Sequence, residues 1–476
     1  MATFANAVKN KEARTTNGMK ARASTANSIV DLFYKIGASR GKDITKDFVA
    51  AFAENKELAL RVAQWARDVR EGAGERQIFR DILKYLEKTD TEAASLVMNK
   101  VPELGRWDDL LVFTDSNLKA QAFGLIKGAL NEGNGLCAKW MPRQGATAAE
   151  LRKFMEMTPK TYRKTLVGLT NVVETKMCAR EWDAIDFSKL PSLASARYRT
   201  AFYKNSEKFK EYVAKLAAGD KSVKVNAGAV YPYDVLKSVI MQGWGAKTLT
   251  KTDRDFIVAQ WEALPNYVGD ANILPMVDVS GSMSCPAGGY GSKSSVRCID
   301  VAVSLGLYLA DKNKGAFKDV FCTFSSKPEL LNLKGNVIQK AEQMEKSSWE
   351  MGTNVIAAFK KVLDVAKKGN VSQDEMPKAL LIMSDMNFDQ CSRFDDSAMQ
   401  SIKRNYEEAG YTTPIVVFWN INAQDHAPVK YDTRGVALVS GFSPNIVKSI
   451  LAVDLDTITP EAIMMKTIMS PRYDLV

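Results

Sequence analysis

Up to about residue 220, apolar side chains recur every three or four positions. After residue 270, short unbroken apolar runs alternate with amphipathic stretches. The first pattern has the period of an α-helix, and the second is that of buried strands joined by helices. Ile29, Leu32, Phe33 and Ile36 share one helical face before Gly37, and Phe48, Phe52, Leu58, Leu60, Val62 and Trp65 continue the helical spacing. Gly72 and Gly74 interrupt the next stretch and predict an αα-hairpin whose second helix opens at Glu75 and turns Leu83, Tyr85 and Leu86 inward. Pro102 and Gly105 break the chain again, with a helix restarting near Trp107. Further helices are predicted at 116–130, 147–157, 159–175, 193–204 and 205–218. Residues 24–270 therefore read as an all-α domain of degenerate, HEAT-like repeats. Residues 1–23 are polar and weakly periodic and read as a flexible N-terminal arm.

The second half reads differently. Residues 225–270 form a junction with helices near 235–241 and 253–263. Strands are predicted at 273–277, 319–324, 329–333, 379–383, 414–419 and 435–439. Helices are predicted near 296–310, 336–345, 355–366, 395–408 and 446–451. The alternation predicts a doubly wound, mostly parallel α/β domain over 271–456, followed by a C-terminal segment, 457–476. Residues 285–295 are Gly/Ser-rich and read as a loop.

Hydrophobic content of 46% and charged content of 25% are those of a globular protein. No apolar run reaches the length of a membrane span, and the N-terminus lacks a charged region leading into an apolar core, which points to a cytoplasmic protein. Cys137, Cys178, Cys285, Cys298, Cys322 and Cys391 lack CxxC spacing and read as reduced thiols. The formal charge of +10 is unevenly placed. Residues 1–270 hold 43 Lys+Arg against 32 Asp+Glu, and residues 271–476 hold 22 against 23. A basic helical half joined to a neutral half suggests that the helical half meets a polyanion, with solubility as the plainer alternative. Residues 143–224 are the most basic stretch. Arg143, Arg163, Lys164, Arg197, Arg199, Lys204, Lys208 and Lys210 are candidate phosphate contacts, and Tyr198 a candidate stacking platform for an unpaired base. The competing reading makes Tyr198, Phe202, Phe209 and Tyr212 an inward stripe. Arg67, Arg70 and Arg76 read as structural, paired along their helices with Asp68, Glu71 and Glu75.

The chemistry concentrates where the first apolar strand ends. Asp278, Ser280 and Ser282 offer one carboxylate and two hydroxyls at i, i+2 and i+4 on one tight loop. Thr353, after Gly352, and Asp385, after Ser384 at the end of another apolar strand, add two hard oxygens. Crevices beyond the carboxyl ends of parallel strands are where open α/β sheets bind ligands. Hard oxygens suit Mg²⁺ or another divalent cation. Read alone, Asp278-Val-Ser-Gly-Ser282 could be a helix cap. Asp389 reads as a turn or supporting residue, and Ser284 as a cap of the following helix. His426 is the single histidine and stands in a polar loop, so Ser-His-Asp and Cys-His catalysis lack a base. No phosphate-binding Gly-rich motif appears, and a metal hydrolase would need a base that is not evident.

Asp-x-Ser-x-Ser is the signature of the metal-ion-dependent adhesion site of von Willebrand factor A (vWA) domains. The second half resembles that family on Asp278–Ser282, Gly352-Thr353 and Ser384-Asp385. The wider chain resembles a family of helical-plus-vWA proteins from bacteria, phages and some eukaryotes. The likeness lies in residues 66–76, 105–111, 138–143, 384–389 and 435–443. The two-part layout is also similar to the Ro/TROVE proteins, in which a ring of helical repeats binds small structured RNAs and single-stranded RNA ends and a vWA domain closes the ring. The resemblance implies Mg²⁺ and an acidic group from a partner completing its coordination shell. The expectation is a non-enzymatic RNA-binding protein. The alternative is a scaffold or virion-associated assembly protein that captures an acidic protein partner through its metal site.

Overall fold

The computed structural model describes residues 12–227, 230–240, 249–269, 271–287, 296–347, 349, 352–390, 397–453 and 457–475. Most of the Gly/Ser-rich loop, residues 288–295, and the start of the expected arm, residues 1–11, lie outside the described residues.

Two short strands, β1 (Glu12–Arg14) and β2 (Lys20–Arg22), come first, and each of the six predicted strands follows: β3 (Ile273–Asp278), β4 (Val320–Phe324), β5 (Glu329–Asn332), β6 (Ala379–Ser384), β7 (Ile415–Asn420) and β8 (Val436–Ser440). These six form one sheet in the order β5-β4-β3-β6-β7-β8. Every pairing is parallel except β4 with β5 at the edge. Strands β3, β6, β7 and β8 are buried along their whole length. Burial on both faces is why their sequences are unbroken apolar runs. Alternate residues feed two cores: Ile273, Val277, Leu381 and Met383 join one, while Leu274, Met276, Leu380 and Ile382 join the other. Pro275 is tolerated in a central strand because β4 pairing begins opposite Met276, leaving Pro275 paired on the β6 side alone.

Helices cover both faces. The helix Cys298–Lys312 is buried from Cys298 through Ala310 and lies close to the sheet. Gly306 permits this approach, since a Cβ there would stand 2.5 Å from Val277 Cγ2 and 2.6 Å from Phe321 Cε2. The helices Val355–Gly369 and Ala398–Glu408 cover the opposite face.

Before the sheet the chain is helical, as the periodicity predicts, with differences in detail. The stretch expected as one helix over 159–175 is two, Pro159–Leu169 and Val173–Cys178. The restart at Trp107 is a 3₁₀ helix, Trp107–Phe113. The second hairpin helix is Gln77–Thr89, because Glu75 is held in a bidentate pair by Arg40 instead of opening the helix. Phe187, Phe202, Phe209, Tyr212 and Phe256 form a small separate core, so the inward stripe is real.

The expected pairing of arginines along their own helices gives way to longer-range partners. Asp109, fully buried, accepts from Arg67 Nε at 2.7 Å, Arg80 Nε at 2.7 Å and the Arg106 amide at 3.0 Å. Arg70 donates to the Glu103 carbonyl, and Asp68 is claimed by Arg472 and the Tyr473 hydroxyl. A buried carboxylate needs such partners, and tertiary packing, not helical spacing, supplies them.

The two halves are built into each other. The helix Ser28–Ile36 lies against β8: Ser440 Oγ donates to the Phe33 carbonyl (2.8 Å), the Gly37 amide donates to Ser440 Oγ (3.1 Å), and Asn420 Nδ2 donates to the Tyr34 carbonyl (3.1 Å). Beyond β8 the helix Pro460–Ile468 packs back on β8 and on the helices Ser28–Ile36 and Lys56–Arg67. The C-terminal segment is thus part of the helical half's packing. Residues 12–22, expected within a flexible arm, instead form a hairpin of β1 (Glu12–Arg14) and β2 (Lys20–Arg22). It is tied to the sheet half by Thr15 Oγ1 donating to the Phe388 carbonyl (2.6 Å) and by the exchange of backbone hydrogen bonds between Arg22 and Ala427 (2.9 Å each). Its order comes from pairing with chain hundreds of residues away, which no local pattern records.

Candidate metal centre

Strands β3 and β6 are neighbours and run parallel, with Val277 opposite Met383. This register brings Asp278 and the Ser384-Asp385 pair to the same end of the sheet. Asp278 is fully buried. Its Oδ1 accepts from the Ser280 amide at 2.9 Å and its Oδ2 from Ser384 Oγ at 2.6 Å. The Ser280 and Ser282 hydroxyls stand 3.1 Å apart. Asp385 accepts from the Asn387 amide at 3.1 Å and from Asn387 Nδ2 at 3.2 Å.

Thr353 is tied through its backbone to Asp389, four residues after Asp385. The Thr353 amide donates to Asp389 Oδ2 (2.6 Å), and the Asp389 amide donates to the Thr353 carbonyl (3.0 Å). Gly352 leaves room for this clamp, since a Cβ there would stand 2.4 Å from Ser326 Oγ and 3.3 Å from Asp389 Oδ2. Asp389 thus fixes the Thr353 backbone. Met386 has φ +64°, a left-handed conformation for a side chain with a Cβ. Its amide donates to Ser384 Oγ (2.9 Å), and its carbonyl lies 3.1 Å from His426 Nε2. The single histidine is half-buried against the site loop, where burial holds its pKa below the ordinary value.

The electrostatics suit a cation. Burial, and then the neighbouring Asp385 charge, push the Asp278 carboxyl up to about 7. Two carboxylates held together away from water are what a divalent ion would relieve. Asn387 Oδ1 is buried without a hydrogen-bond donor. Among the described residues no group of three or more His, Cys, Asp and Glu stands ready for a metal. The candidate residues Asp278, Ser280, Ser282, Thr353 and Asp385 offer two carboxylates and three hydroxyls, all hard oxygens, and this chemistry fits Mg²⁺. The sequence pointed to Asp278, Ser280, Ser282, Thr353 and Asp385. It left unassigned the hydrogen bond from Ser384 to Asp278 and the position of Asn387, although both flank Asp385.

The basic candidates divide. Arg143, Arg163, Lys164, Arg197, Lys204 and Lys208 are exposed, although Lys208 Nζ donates to the Asp183 carbonyl (3.0 Å). The Tyr162 hydroxyl donates to the Pro142 carbonyl (2.9 Å) and so holds the residue preceding Arg143 against the helix that carries Arg163 and Lys164. Tyr198 is half-buried, with its hydroxyl donating to Glu174 (2.9 Å). Arg199 pairs with Asp253 (2.6 Å) over the Phe256 ring, and Lys210 pairs with Glu207 (2.5 Å).

Residues 272–468 match a domain of unknown function, DUF7788, and residues 15–102 and 137–272 match another, DUF2828. Over 505 aligned residues the chain is 30% identical to Uncharacterized protein L728 of Acanthamoeba polyphaga mimivirus, covering 92% of this chain and 84% of that protein. Among solved structures, the crystal structure of the Deinococcus radiodurans Ro (RSR) protein is similar with a TM-score of 0.50 at 14% identity, covering 93% of this chain and 99% of that one. The layout, a helical region followed by a mixed-sheet domain, is therefore Ro-like, and this chain, whose DUF2828 match precedes its DUF7788 match, belongs to the family of the mimivirus protein.

Proposed function

We propose that this is a non-enzymatic, Ro-like RNA-binding protein whose basic helical half grips RNA phosphates and whose sheet half is a vWA domain holding Mg²⁺. The observation that carries the reading is the Ro-like layout across nearly the whole chain, and the concentration of positive charge in the helical half supports it. Asp278, Ser280, Ser282, Thr353 and Asp385 would hold the ion. When bound, it supplies an open coordination position for a carboxylate from a partner. Arg143, Arg163, Lys164, Arg197 and Lys204 are the exposed cations assigned to phosphate contact. Tyr198 and Arg199 are given a packing role instead, because each already has a protein partner. The test is whether nucleic acid accompanies the native protein through purification at low salt. A discrete, nuclease-sensitive RNA is the expected result; protein free of RNA that also fails to bind added RNA would defeat the reading.

A second reading is a docking scaffold that acts through the metal site alone. The buried Asp278–Asp385 pair favours it. On this reading, partner capture in Mg²⁺ disappears with Asp278→Ala while RNA binding is absent from both proteins.

A further inference from the structure

Cys285 and Cys298 lie on the two sides of the segment that follows Ser282. Their backbones form an antiparallel ladder: the Cys298 amide donates to the Cys285 carbonyl (3.0 Å), the Ala287 amide donates to the Val296 carbonyl (2.7 Å), and Pro286 stands opposite Arg297. Cys285 and Cys298 are therefore directly opposite each other, with their sulfurs 3.5 Å apart. Opposed residues of an antiparallel pair have Cα atoms about 4.5–5.5 Å apart, inside the range a disulfide spans. Closing the sulfurs to about 2.05 Å needs side-chain rotation rather than backbone rearrangement. Both residues are buried, and both thiols are free.

The surroundings distinguish the two thiols. Cys285 Sγ accepts a hydrogen bond from Asn422 Nδ2 at 3.6 Å. Cys298 Sγ has acceptors beside it instead, lying 3.9 Å from both the Pro286 and the Ile421 carbonyls. A donor at the Cys285 sulfur and acceptors at the Cys298 sulfur favour Cys285 as the attacking thiolate and Cys298 as the resolving thiol.

We propose that Cys285 and Cys298 are a peroxide-oxidisable dithiol that forms a disulfide beside the candidate metal centre. The Cys285 thiolate attacks one peroxide oxygen, the O–O bond breaks, and a sulfenic acid forms while hydroxide leaves and takes up the thiol's proton as water. Cys298 sulfur then attacks Cys285 sulfur, the S–O bond breaks, and a second water leaves with the Cys298 proton. The pair loses two electrons and two hydrogens, which reduce one hydrogen peroxide to two waters. Cys285 follows Ser282 by three residues, so the bond would fix the trailing end of the motif loop.

The full-length reduced protein is treated with hydrogen peroxide, quenched, denatured, alkylated and analysed by mass spectrometry. The expected product is lighter by two hydrogens, is restored by dithiothreitol and yields a peptide pair joined through Cys285 and Cys298. Cys178, exposed on the helical half, serves as an internal control for oxidant delivery. In Cys298→Ser the sulfenic acid has no resolving thiol and is expected to be trapped by dimedone on Cys285. Recovery of both Cys285 and Cys298 as alkylated thiols while Cys178 is oxidised would overturn the proposal. So would a disulfide joining either one to a different cysteine. A matching thermal unfolding curve for Cys298→Ser excludes misfolding as the source of its trapped product.

Discussion

At the scale of single residues, Asp278 decides the behaviour of the site. Its carboxyl is raised to about 7 by burial and by Asp385, whereas an unfolded aspartate titrates near about 3.9. The folded chain therefore binds more protons than the unfolded one between these values. The contribution of Asp278 to stability is fully present below about pH 4 and is lost as pH rises through about 7. A divalent ion held by Asp278 and Asp385 reverses that loss, because it replaces the proton. Thermal unfolding in Mg²⁺ should therefore show a larger stabilisation at about pH 8 than at about pH 5.5. At a hundredfold excess over Kd the gain is about 2.7 kcal/mol, and Asp278→Ala should show none. Equal Mg²⁺ shifts in both proteins would remove Asp278 from the ligand set. Much of this site was legible in the sequence, because Asp278, Ser280 and Ser282 sit on one loop and Asp385 ends an apolar strand as Asp278 does. The clamp between Asp389 and Thr353 was not, because it links loops 36 residues apart through one carboxylate and two backbone amides.

At the scale of elements, the six strands of the main sheet were legible, and in β3, β6, β7 and β8 burial on both faces leaves an unbroken apolar signature. The junctions were not. Asp109 has no local pattern to reveal it, yet it joins the helices Lys56–Arg67 and Gln77–Thr89 to the turn at Gly105. Asp109→Ala leaves Arg67 buried without its counter-charge, and the expected cost is about 3–5 kcal/mol in denaturant unfolding. A loss below about 1 kcal/mol would mean that the arginines find other partners. Gly306 gives a second test. Gly306→Ala places a methyl group inside contact distance of Val277 and Phe321, and overpacking of this kind costs about 1–3 kcal/mol. The N-terminal hairpin escaped sequence reading for a related reason: its strands are three residues each, and its partners lie in the loop carrying Asp389 and near Ala427. Its bonds to Phe388 and Asn387 place it against the loop that follows Asp385 in the candidate metal centre.

At the scale of the whole molecule, charge and fold point the same way. The positive excess lies entirely before residue 271, in the half whose exposed cations include Arg143, Arg163, Lys164, Arg197 and Lys204. No helix among the described residues is long and apolar enough to cross a membrane. The sequence foretold the basic half but could not sort its side chains. Burial and pairing withdraw Tyr198 and Arg199 from the surface set; periodicity offered the inward stripe of Tyr198, Phe202, Phe209 and Tyr212 as one of two readings, and only packing with Phe187 and Phe256 decides for it. The most direct test of RNA binding by this basic half is the affinity of the full chain for a single-stranded RNA measured across a series of salt concentrations. Five phosphate contacts predict that log K falls linearly against log salt with a slope of about −3.5, and that Arg163→Gln with Lys164→Gln makes the slope shallower by about 1.4. Binding that is absent at low salt, or that holds unchanged across the series, would contradict the account.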